Sequence, residues 1–298
     1  MTRVAIVTDT GAGISAAEQA RLENLGGFAV VEMPVMVDDR DLSQHHLEQP
    51  PEQALILAHA MGETIRTSSP SPGAFELTYR RLQDQGFQAI VSIHLAAELS
   101  GTINAARTAA RDLDIPVFVV DSRTVAMAYG HSVVKACAMA SQGESAEKIA
   151  ASVLEICVNT EILFTVASLE PLRRSGRIHP GIARVGQLMQ IRPVATVIEG
   201  RLTYVERPRT TQRALEMLTS LTTQESQRRR AGSVDMDHAL TPRPRGDIVS
   251  IQYCGDASDA SRLKEQLPQS STVGTVISPL PAVLSAHTGV GSLACVIY

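Results

Sequence analysis

Short apolar runs alternate with longer segments of helical periodicity in the first half of the chain. Short runs rich in valine and isoleucine, bounded by turn residues, are typical of buried strands. We predict such strands at Val4–Thr8, Phe28–Val37, Ala89–His94 and Pro116–Val120. Strands that alternate with helices in this way predict a parallel sheet covered by helices on both faces.

The segments between these strands carry helix start and stop signals. Ser15 and Glu18 form a capping box, in which a hydroxyl and a carboxylate satisfy opposing backbone donors, and Gly26 ends that helix. Prolines open the next helices, and alanine-rich segments follow. We predict further helices at residues 51–62, 72–86, 101–111, 125–142 and 146–158.

The rhythm changes near residue 160, where strands follow one another with fewer helices between them. We predict strands at Ile162–Ala167, Pro193–Ile198, Leu202–Glu206, Ile248–Tyr253, Thr272–Ile277 and Leu293–Tyr298, and a helix at Ala257–Gln266. Glu199 and Gly200 form a predicted hairpin turn, which introduces antiparallel pairing. The fold class is therefore α/β with two domains: a three-layer α/β/α domain with a parallel sheet at residues 1–160, and a two-layer mixed-sheet domain at residues 161–298.

One polar segment, Gln224–Gly246, interrupts the second domain. It contains Arg228, Arg229 and Arg230 and two prolines, and its apolar residues show no period. We interpret it as a mobile surface insertion.

Composition excludes several classes of protein. The 298 residues are 44% apolar and 19% charged, which is typical of a globular chain with a sizeable core. The net charge of −4 gives no global attraction to nucleic acid or to an anionic membrane. No apolar run is long enough to span a bilayer, so we expect no integral membrane association, and an early strand at Val4–Thr8 leaves no room for a signal peptide. These features favour a cytoplasmic protein.

The four cysteines give no sign of a metal site. They are widely separated, have no C-x-x-C spacing, and fit reduced core thiols better than zinc ligands or disulfides. We therefore expect neither a metal nor a cofactor. The cysteines are Cys137, Cys157, Cys254 and Cys295.

Polar, hydroxyl-rich segments follow several predicted strands of the first domain. They are Thr8-Asp9-Thr10, Thr67 to Pro72, Leu99 to Thr102, and Asp121-Ser122. The carboxyl ends of parallel strands share one edge of a sheet, so we expect these loops to converge there. Hydroxyls and free helix N–H groups favour an anion such as a carboxylate.

Each of these segments also has a simpler interpretation. Taken singly, Ser71 and Ser100 are explained as helix N-caps. Asp9 and Asp121 would repel an anion, so we expect them to accept hydrogen bonds within their loops.

Two segments of the second domain complete the candidate chemistry. His287 lies in a glycine-containing loop and can donate to a carboxylate, although a solvated loop histidine is an equal alternative. Arg177 has the fork geometry for binding an anion, and a simple surface charge is its alternative.

Taken together, these motifs resemble the DegV family, which includes the fatty-acid-binding subunits of bacterial fatty acid kinase. The match runs in order along the whole chain. The similar pairs are Thr8-Asp9-Thr10 with TDS, Thr67 to Pro72 with TSQPSP, Leu99 to Thr102 with LSGT, Asp121-Ser122 with DS, Ser175 to Ile178 with GGRI, Ile191 to Pro193 with IKP, and His287 to Gly291 with HTGPG.

The resemblance implies that the carboxylate of a long-chain fatty acid is bound at the domain seam with its acyl chain buried. Thr67 and Ser100 would donate to the carboxylate, and His287 would complete the network. Further ligand-binding candidates are Ser68, Gly101, Arg177 and Thr288. The family itself performs no catalysis: a separate ATP-dependent kinase subunit phosphorylates the carboxylate, and the acyl phosphate enters phospholipid synthesis. We therefore assign no catalytic residue.

The chain departs from the family pattern at a few positions. Ala96 and Ala97 stand where the family commonly has two serines, which removes possible donors. Ser175 replaces a glycine, and Val290 replaces a proline.

Two other functions are alternatives. A serine hydrolase would use Ser100, His287 and an aspartate, but the nucleophile elbow G-x-S-x-G is absent because Glu98 stands two positions before Ser100. A nucleic-acid-binding regulator would use Arg228–Arg230, but nearby acidic residues nearly neutralise these arginines. A hydrolysis assay on acyl esters separates the first alternative, and salt-dependent DNA binding separates the second.

Overall fold

The computed structural model describes residues 2–42, 50–178, 191–232 and 246–298. The chain divides into two compact units. The first comprises Met1–Asn159, Ile198–Arg201 and Pro281–Ala286, and the second comprises Thr160–Val197, Leu202–Leu280 and His287–Tyr298. Two short segments from the second half of the chain therefore belong to the first unit. The sequence-based division into residues 1–160 and 161–298 does not contain this exchange of segments.

The first unit contains a parallel sheet and a small antiparallel sheet. Its strands are β1 (Val4–Asp9), β2 (Phe28–Val31), β3 (Val35–Val37), β4 (Arg40–Asp41), β5 (Ile65–Thr67), β6 (Ala89–His94) and β7 (Val117–Asp121). Its helices are α1 (Ala16–Leu25), α2 (Pro51–Met61), α3 (Pro72–Asp84), α4 (Thr102–Ala109), α5 (Met127–Ser141) and α6 (Ala146–Val158). The parallel sheet has the order β2-β1-β6-β7, and β3 lies between β4 and β5 in the small sheet.

Helices cover both faces of the parallel sheet, as predicted. On one face, side chains of β1 and β6 pack with α1, α2, α5 and α6, including the fully buried Tyr129 and Ile149. On the other face, β1 and β6 pack with α3 and α4, including Phe75 and Tyr79. All six residues of β1 are buried, so this strand is covered on both faces.

The strand predicted at Phe28–Val37 is wrong in its continuity. It is divided into β2 and β3 at Pro34, which lacks the N–H that a continuous ladder needs. After the break, β3 pairs with β5 in the small antiparallel sheet, and Val35 lies opposite Thr67. The hydroxyl-rich segment that begins at Thr67 therefore follows a strand of the small sheet and not of the parallel sheet.

The second unit contains a mixed sheet. Its strands are β8 (Glu161–Thr165), β9 (Val194–Ile198), β10 (Arg201–Glu206), β11 (Ile248–Cys254), β12 (Val276–Pro279) and β13 (Ser292–Ile297), in the order β10-β9-β8-β13-β11-β12. Its helices are α7 (Glu170–Arg174), α8 (Thr211–Gly232) and α9 (Ala257–Gln266), and α10 (Ala282–Thr288) carries the chain from the first unit to the second. The β11–β12 pair is parallel, and β8, β9, β11 and β13 pair antiparallel.

Two sequence predictions in the second unit can be compared directly with its strands. Glu199 and Gly200 both have positive φ angles, 49° and 79°, which a two-residue hairpin turn requires, so the predicted turn is confirmed. The strand predicted at Thr272–Ile277 is shifted, because β12 begins only at Val276 and Thr272 ends a short 3-10 turn.

The predicted insertion at Gln224–Gly246 is wrong in its first part, because α8 continues to Gly232. The buried side chains along α8 are Ala214, Leu218, Thr222 and Ser226, at a spacing of four residues. Two of these positions carry hydroxyls, which interrupt the apolar period, and no helix was predicted in this segment. Residues 233–245 of the predicted insertion lie outside the described residues.

The arginines of this segment are not a free basic patch. Arg229 pairs with Glu225 at 2.5 Å and with Glu161 at 3.2 Å, and Arg228 also pairs with Glu225. Arg230 pairs with Asp247. These ion pairs give no support to the nucleic-acid alternative.

All four cysteines are buried, and none forms a disulfide within the described residues; burial raises the pKa of Cys137 and Cys295 to about 12. The thiols of Cys137 and Cys295 therefore stay protonated and unreactive at neutral pH. Within the described residues, no helix combines the length and apolarity that crossing a membrane requires.

Gly130 of α5 provides a test of the packing around the end of β1. A Cβ at this position would lie 2.1 Å from the backbone oxygen of Ala12 and 3.0 Å from the Met127 sulfur. We predict that Gly130→Ala destabilises the protein by about 3 kcal/mol, because the backbone oxygen cannot move aside cheaply. Thermal unfolding followed by circular dichroism measures the change.

Gly73 is the matched control. It lies in the first turn of α3, and a Cβ added there would have its nearest neighbouring atom, Ser71 Oγ, 3.8 Å away. Gly73→Ala should leave the melting temperature unchanged or slightly raised. Equal melting temperatures for the two variants would contradict the packing inferred at Gly130.

Candidate functional site

Three hydroxyl side chains meet on two loops of the first unit. The Oγ atoms of Ser69 and Ser100 are 3.2 Å apart, and Ser100 Oγ is 2.8 Å from Thr102 Oγ1. The Thr102 N–H also donates to Ser100 Oγ at 3.3 Å. We call Ser69, Ser100 and Thr102 the hydroxyl cluster. The predicted convergence of these two loops is present in the structure.

Gly101 permits this close approach. A Cβ at residue 101 would lie 3.1 Å from Ser69 Oγ, so a larger residue would push the two loops apart. Ser69 is not among the site residues predicted from sequence. Its motif is recognisable, but Thr67, Ser68, Ser69 and Ser71 are near neighbours, and no spacing rule identifies which hydroxyl faces Ser100.

The remaining hydroxyls of the first loop have different surroundings. Thr67 is half-buried at the end of β5, and Ser68 is exposed, with its N–H donating to the Pro34 oxygen at 3.1 Å. Ser71 accepts from the Ala74 N–H at 3.2 Å, which confirms its interpretation as the N-cap of α3. Ser100 is more than a cap, because its hydroxyl also bonds to the hydroxyls on either side of it.

Asp9 and Asp121 accept hydrogen bonds within their loops, as expected. Asp121 accepts from the Arg123 N–H at 2.9 Å and from the Ala97 N–H at 3.3 Å. Asp9, which is fully buried, accepts from the Gly11 N–H at 2.9 Å and from the Leu95 N–H at 3.4 Å.

Asp9 also ends a buried chain of side-chain hydrogen bonds that the sequence did not reveal. The chain runs from Tyr79 to Ser92 (2.7 Å), from Ser92 to His94 (2.7 Å) and from His94 Nδ1 to Asp9 (2.8 Å), and Tyr129 joins Asp9 at 2.7 Å. We call these five residues the buried chain. All five are fully buried. Ser92 and His94 were missed because β6 is buried along its whole length, so its sequence has no polar face on which a functional side chain would be recognised.

Both tyrosine hydroxyls of the buried chain are protonated at neutral pH. Burial raises the pKa of Tyr79, and burial together with the negative charge of Asp9 raises the pKa of Tyr129. Tyr129 therefore donates to Asp9 Oδ1. His94 Nδ1 donates to the other carboxylate oxygen, Asp9 Oδ2.

The hairpin turn at residues 198–201 contacts the loop that leads to Ser100. A Cβ on Gly200 would lie 3.3 Å from the Cβ of Ala96, and Gly200 donates its N–H to the Arg123 oxygen at 2.9 Å. Arg201 pairs with Glu98 at 3.2 Å. Ala96 is fully buried, so the small side chain at this departure from the family pattern fits against the turn.

The second unit groups three of the predicted residues near the end of α10. His287 and Thr288 lie in the last turn of this helix, so the prediction that they occupy a loop is wrong. Burial and the positive charge of Arg177 lower the pKa of His287 to about 4, which leaves the imidazole neutral at pH 7. Thr288 Oγ1 is buried and has no hydrogen-bond partner among the described residues.

Arg177 is the half-buried cation of this group. Its Nη1 donates to the Ser175 oxygen at 2.5 Å, and burial lowers its pKa. The guanidinium keeps its charge at neutral pH because its ordinary pKa is above 12. Thus the predicted residues Thr67, Ser68, Ser100 and Gly101 lie on the two loops of the hydroxyl cluster in the first unit, and Arg177, His287 and Thr288 lie in the second.

Among the residues that the structure describes, this arrangement offers donors for an anion and places no base beside the Ser100 hydroxyl. The hydroxyl of Ser100 bonds to two other hydroxyls and to a backbone N–H. Ser92, His94 and Asp9 have the connections of a catalytic triad, but all three are fully buried, so no substrate reaches Ser92. In the described ranges, no group of three or more His, Cys, Asp and Glu side chains could hold a metal ion.

Comparison with known proteins places the chain among relatives of full length. A DegV domain-containing protein of Streptomyces coelicolor is 33% identical over 294 residues, which cover 99% of this chain and 98% of the relative. A DegV domain-containing protein of Streptococcus pyogenes is 30% identical over 297 residues, which cover 100% and 99% of the two chains. Neither name states a ligand.

The fold matches solved structures equally well. A DegV family protein from Thermus thermophilus, described by its fatty acid binding, matches with a TM-score of 0.81 and 26% identity, over 100% of this chain and 99% of that chain. The model of the DegV family, described as an uncharacterised protein, matches residues 3–298. The resemblance recognised in the motifs is thereby confirmed: the chain belongs to the DegV family.

Proposed function

We propose that this protein binds a long-chain fatty acid, encloses its acyl chain, and presents its carboxylate to a separate ATP-dependent kinase subunit. The observation that carries this proposal is the hydroxyl cluster, in which the described partners of Ser100 Oγ are two hydroxyls and a backbone N–H and not a base. The fatty acid binding described for the Thermus thermophilus protein supports the same class of ligand.

In the first unit, Thr67 and Ser100 donate hydroxyl protons to the carboxylate. Ser68 and the backbone at Gly101 are further contacts. A carboxylate transferred from water needs such partners, because an unpaired buried charge is costly. Several neutral donors stabilise the negative charge without themselves requiring a counter-ion.

In the second unit, we assign ligand binding to Arg177, His287 and Thr288. Arg177 supplies a positive charge, and a neutral His287 supplies one N–H donor. Thr288 Oγ1, buried and without a partner in the described part of the chain, is available to an incoming polar group.

The two ends of the ligand contribute differently. Each enclosed methylene of the acyl chain contributes roughly 0.8 kcal/mol, so the tail supplies most of the affinity. The polar contacts determine where the carboxylate lies. The kinase subunit would transfer the γ-phosphoryl group of ATP to a carboxylate oxygen, giving an acyl phosphate and ADP.

The first test is to identify the ligand and the reaction. Denaturing extraction of the purified protein followed by mass spectrometry should yield a fatty acid in stoichiometric amount. With a bacterial fatty acid kinase subunit, ATP and stearate, the loaded protein should form an acyl phosphate that hydroxylamine traps. Recovery of no lipid, together with no binding of added stearate or oleate, would overturn the proposal. Turnover of acyl esters by the protein alone would instead support a hydrolase.

Ser100→Ala tests the head-group contact. Loss of one hydrogen bond to a charged group costs about 1.5–3 kcal/mol, so we predict that Kd for stearate rises by roughly ten- to a hundredfold. Displacement of 11-(dansylamino)undecanoic acid measures this change. Ser141→Ala removes an exposed hydroxyl that bonds only to its own helix, at Ala138, and should leave Kd unchanged. Equal Kd values for wild type and Ser100→Ala would contradict the assignment.

His287 should make stability depend on pH. Because burial and Arg177 lower its pKa from 6.5 to about 4, the unfolded chain binds a proton between these values and the folded protein does not. The wild type should therefore lose stability as the pH falls from about 6.5 towards 4, by at most about 3 kcal/mol from this residue.

His287→Gln should flatten that part of the stability curve in urea unfolding. Arg177→Gln should flatten it partly, since one of the two causes of the lowered pKa is removed. Parallel curves for wild type and His287→Gln would show that His287 does not titrate in this way.

A further inference from the structure

We propose that Asp9 and His94 are positioning residues, which hold the two hydroxyl-bearing loops in the geometry that binds a carboxylate. This inference rests on the proposed function and names residues for which that function has so far no role. Its basis is the buried chain, which begins at Tyr79 of α3 and ends at Asp9, the last residue of β1.

The buried chain ends at the Asp9 carboxylate. Hydrogen bonds of 2.7 Å join Tyr79 to Ser92 and Ser92 to His94 Nε2, and His94 Nδ1 donates to Asp9 Oδ2 at 2.8 Å. Tyr129 donates to Asp9 Oδ1. The Asp9 carboxylate accepts from side chains and backbone on several elements, so it fixes the position of each of them relative to β1.

One connection leads from Asp9 to Ser100. The Leu95 N–H donates to Asp9 Oδ2 at 3.4 Å, which fixes the chain as it leaves β6. The next residue, Ala96, accepts from the Leu99 N–H at 3.0 Å and from the Ser100 N–H at 3.2 Å. The position of Ser100 therefore depends on a turn whose base is held by Asp9.

A second connection leads from the same end of β1 to Ser68. Thr10 Oγ1 accepts from the Met33 N–H at 3.0 Å, and the following residue, Pro34, accepts from the Ser68 N–H at 3.1 Å. Both loops of the proposed head-group site are thus attached to the end of β1. A small displacement at Asp9 changes the separation between the Ser69 and Ser100 hydroxyls.

Asp9→Asn and Tyr79→Phe form a matched pair for the test. Asparagine keeps the shape of aspartate, but its amide group donates. At one position, an N–H of the amide would therefore face another donor, where the carboxylate oxygen of aspartate accepted a hydrogen bond. Tyr79→Phe removes the hydroxyl at the opposite end of the buried chain and leaves the bonds at Asp9 in place. Both variants should melt at a lower temperature than the wild type, since each disturbs a buried hydrogen bond.

Only Asp9→Asn should weaken binding. We expect Kd for 11-(dansylamino)undecanoic acid, measured well below both melting temperatures, to rise about tenfold for Asp9→Asn and less than twofold for Tyr79→Phe. Equal effects of the two variants, or no effect of either, would overturn the inference while wild-type binding leaves the proposed function intact. Failure of the wild type to bind the probe would instead overturn the proposed function.

A measurement on the wild type covers the case in which Asp9→Asn does not fold. Selective ¹⁵N labelling of histidine should show a proton on His94 Nδ1, with a resonance far downfield because this proton is donated to a carboxylate. Saturating stearate should shift this resonance, since carboxylate binding at Ser100 changes the Leu95–Asp9 contact. An Nε2–H tautomer, or an unchanged Nδ1–H resonance at saturation, would contradict the positioning role.

Discussion

A fully buried carboxylate requires several hydrogen bonds, and in this protein Asp9 obtains them from backbone and side chains on different elements. It lies at the end of β1, one of the two inner strands of the parallel sheet, and β1 is covered on both faces. The close packing of Gly130 against Ala12 holds α5, and with it Tyr129, near the same point. The position of the strand end is therefore overdetermined, which gives the neighbouring loops a rigid base.

The polar residues proposed for the ligand have complementary electrostatic properties. The first unit offers neutral hydroxyls, and the second offers Arg177 beside an imidazole whose pKa is lowered to about 4. A protonated His287 so near Arg177 would add repulsion between two half-buried cations. Because the imidazole is neutral, Arg177 carries the positive charge beside His287 and Thr288. The protonation state of His287, and with it its ability to donate one hydrogen bond, does not change with pH near neutrality.

Local signals in the sequence predicted the regular elements well, and tertiary constraints account for the errors. Ser71 caps α3 as its motif indicates, and α9 has the predicted bounds, because the signals for both lie within a few residues. No helix was predicted over α8, because Thr222 and Ser226 are buried hydroxyls on its core face and interrupt the apolar period. Ser226 donates to the Gly246 oxygen at 2.5 Å, and its Oγ also lies 2.7 Å from Ser271 Oγ; neither partner can be known from sequence.

In the candidate site, too, the sequence predicts what depends on neighbouring residues and misses what depends on residues far apart in the chain. Motifs identified the loop of Ser100, yet its partner Ser69 and the contribution of Asp9 emerge only when residues far apart in sequence are brought together. The serine with a histidine and an aspartate behind it is Ser92, which is sealed in the core. Ser100 is not sealed in the core, and the side chains that bond to its hydroxyl are hydroxyls. Among the described residues, the His94–Asp9 pair bonds to Ser92 and not to Ser100, whereas a serine hydrolase needs the base beside an accessible nucleophile.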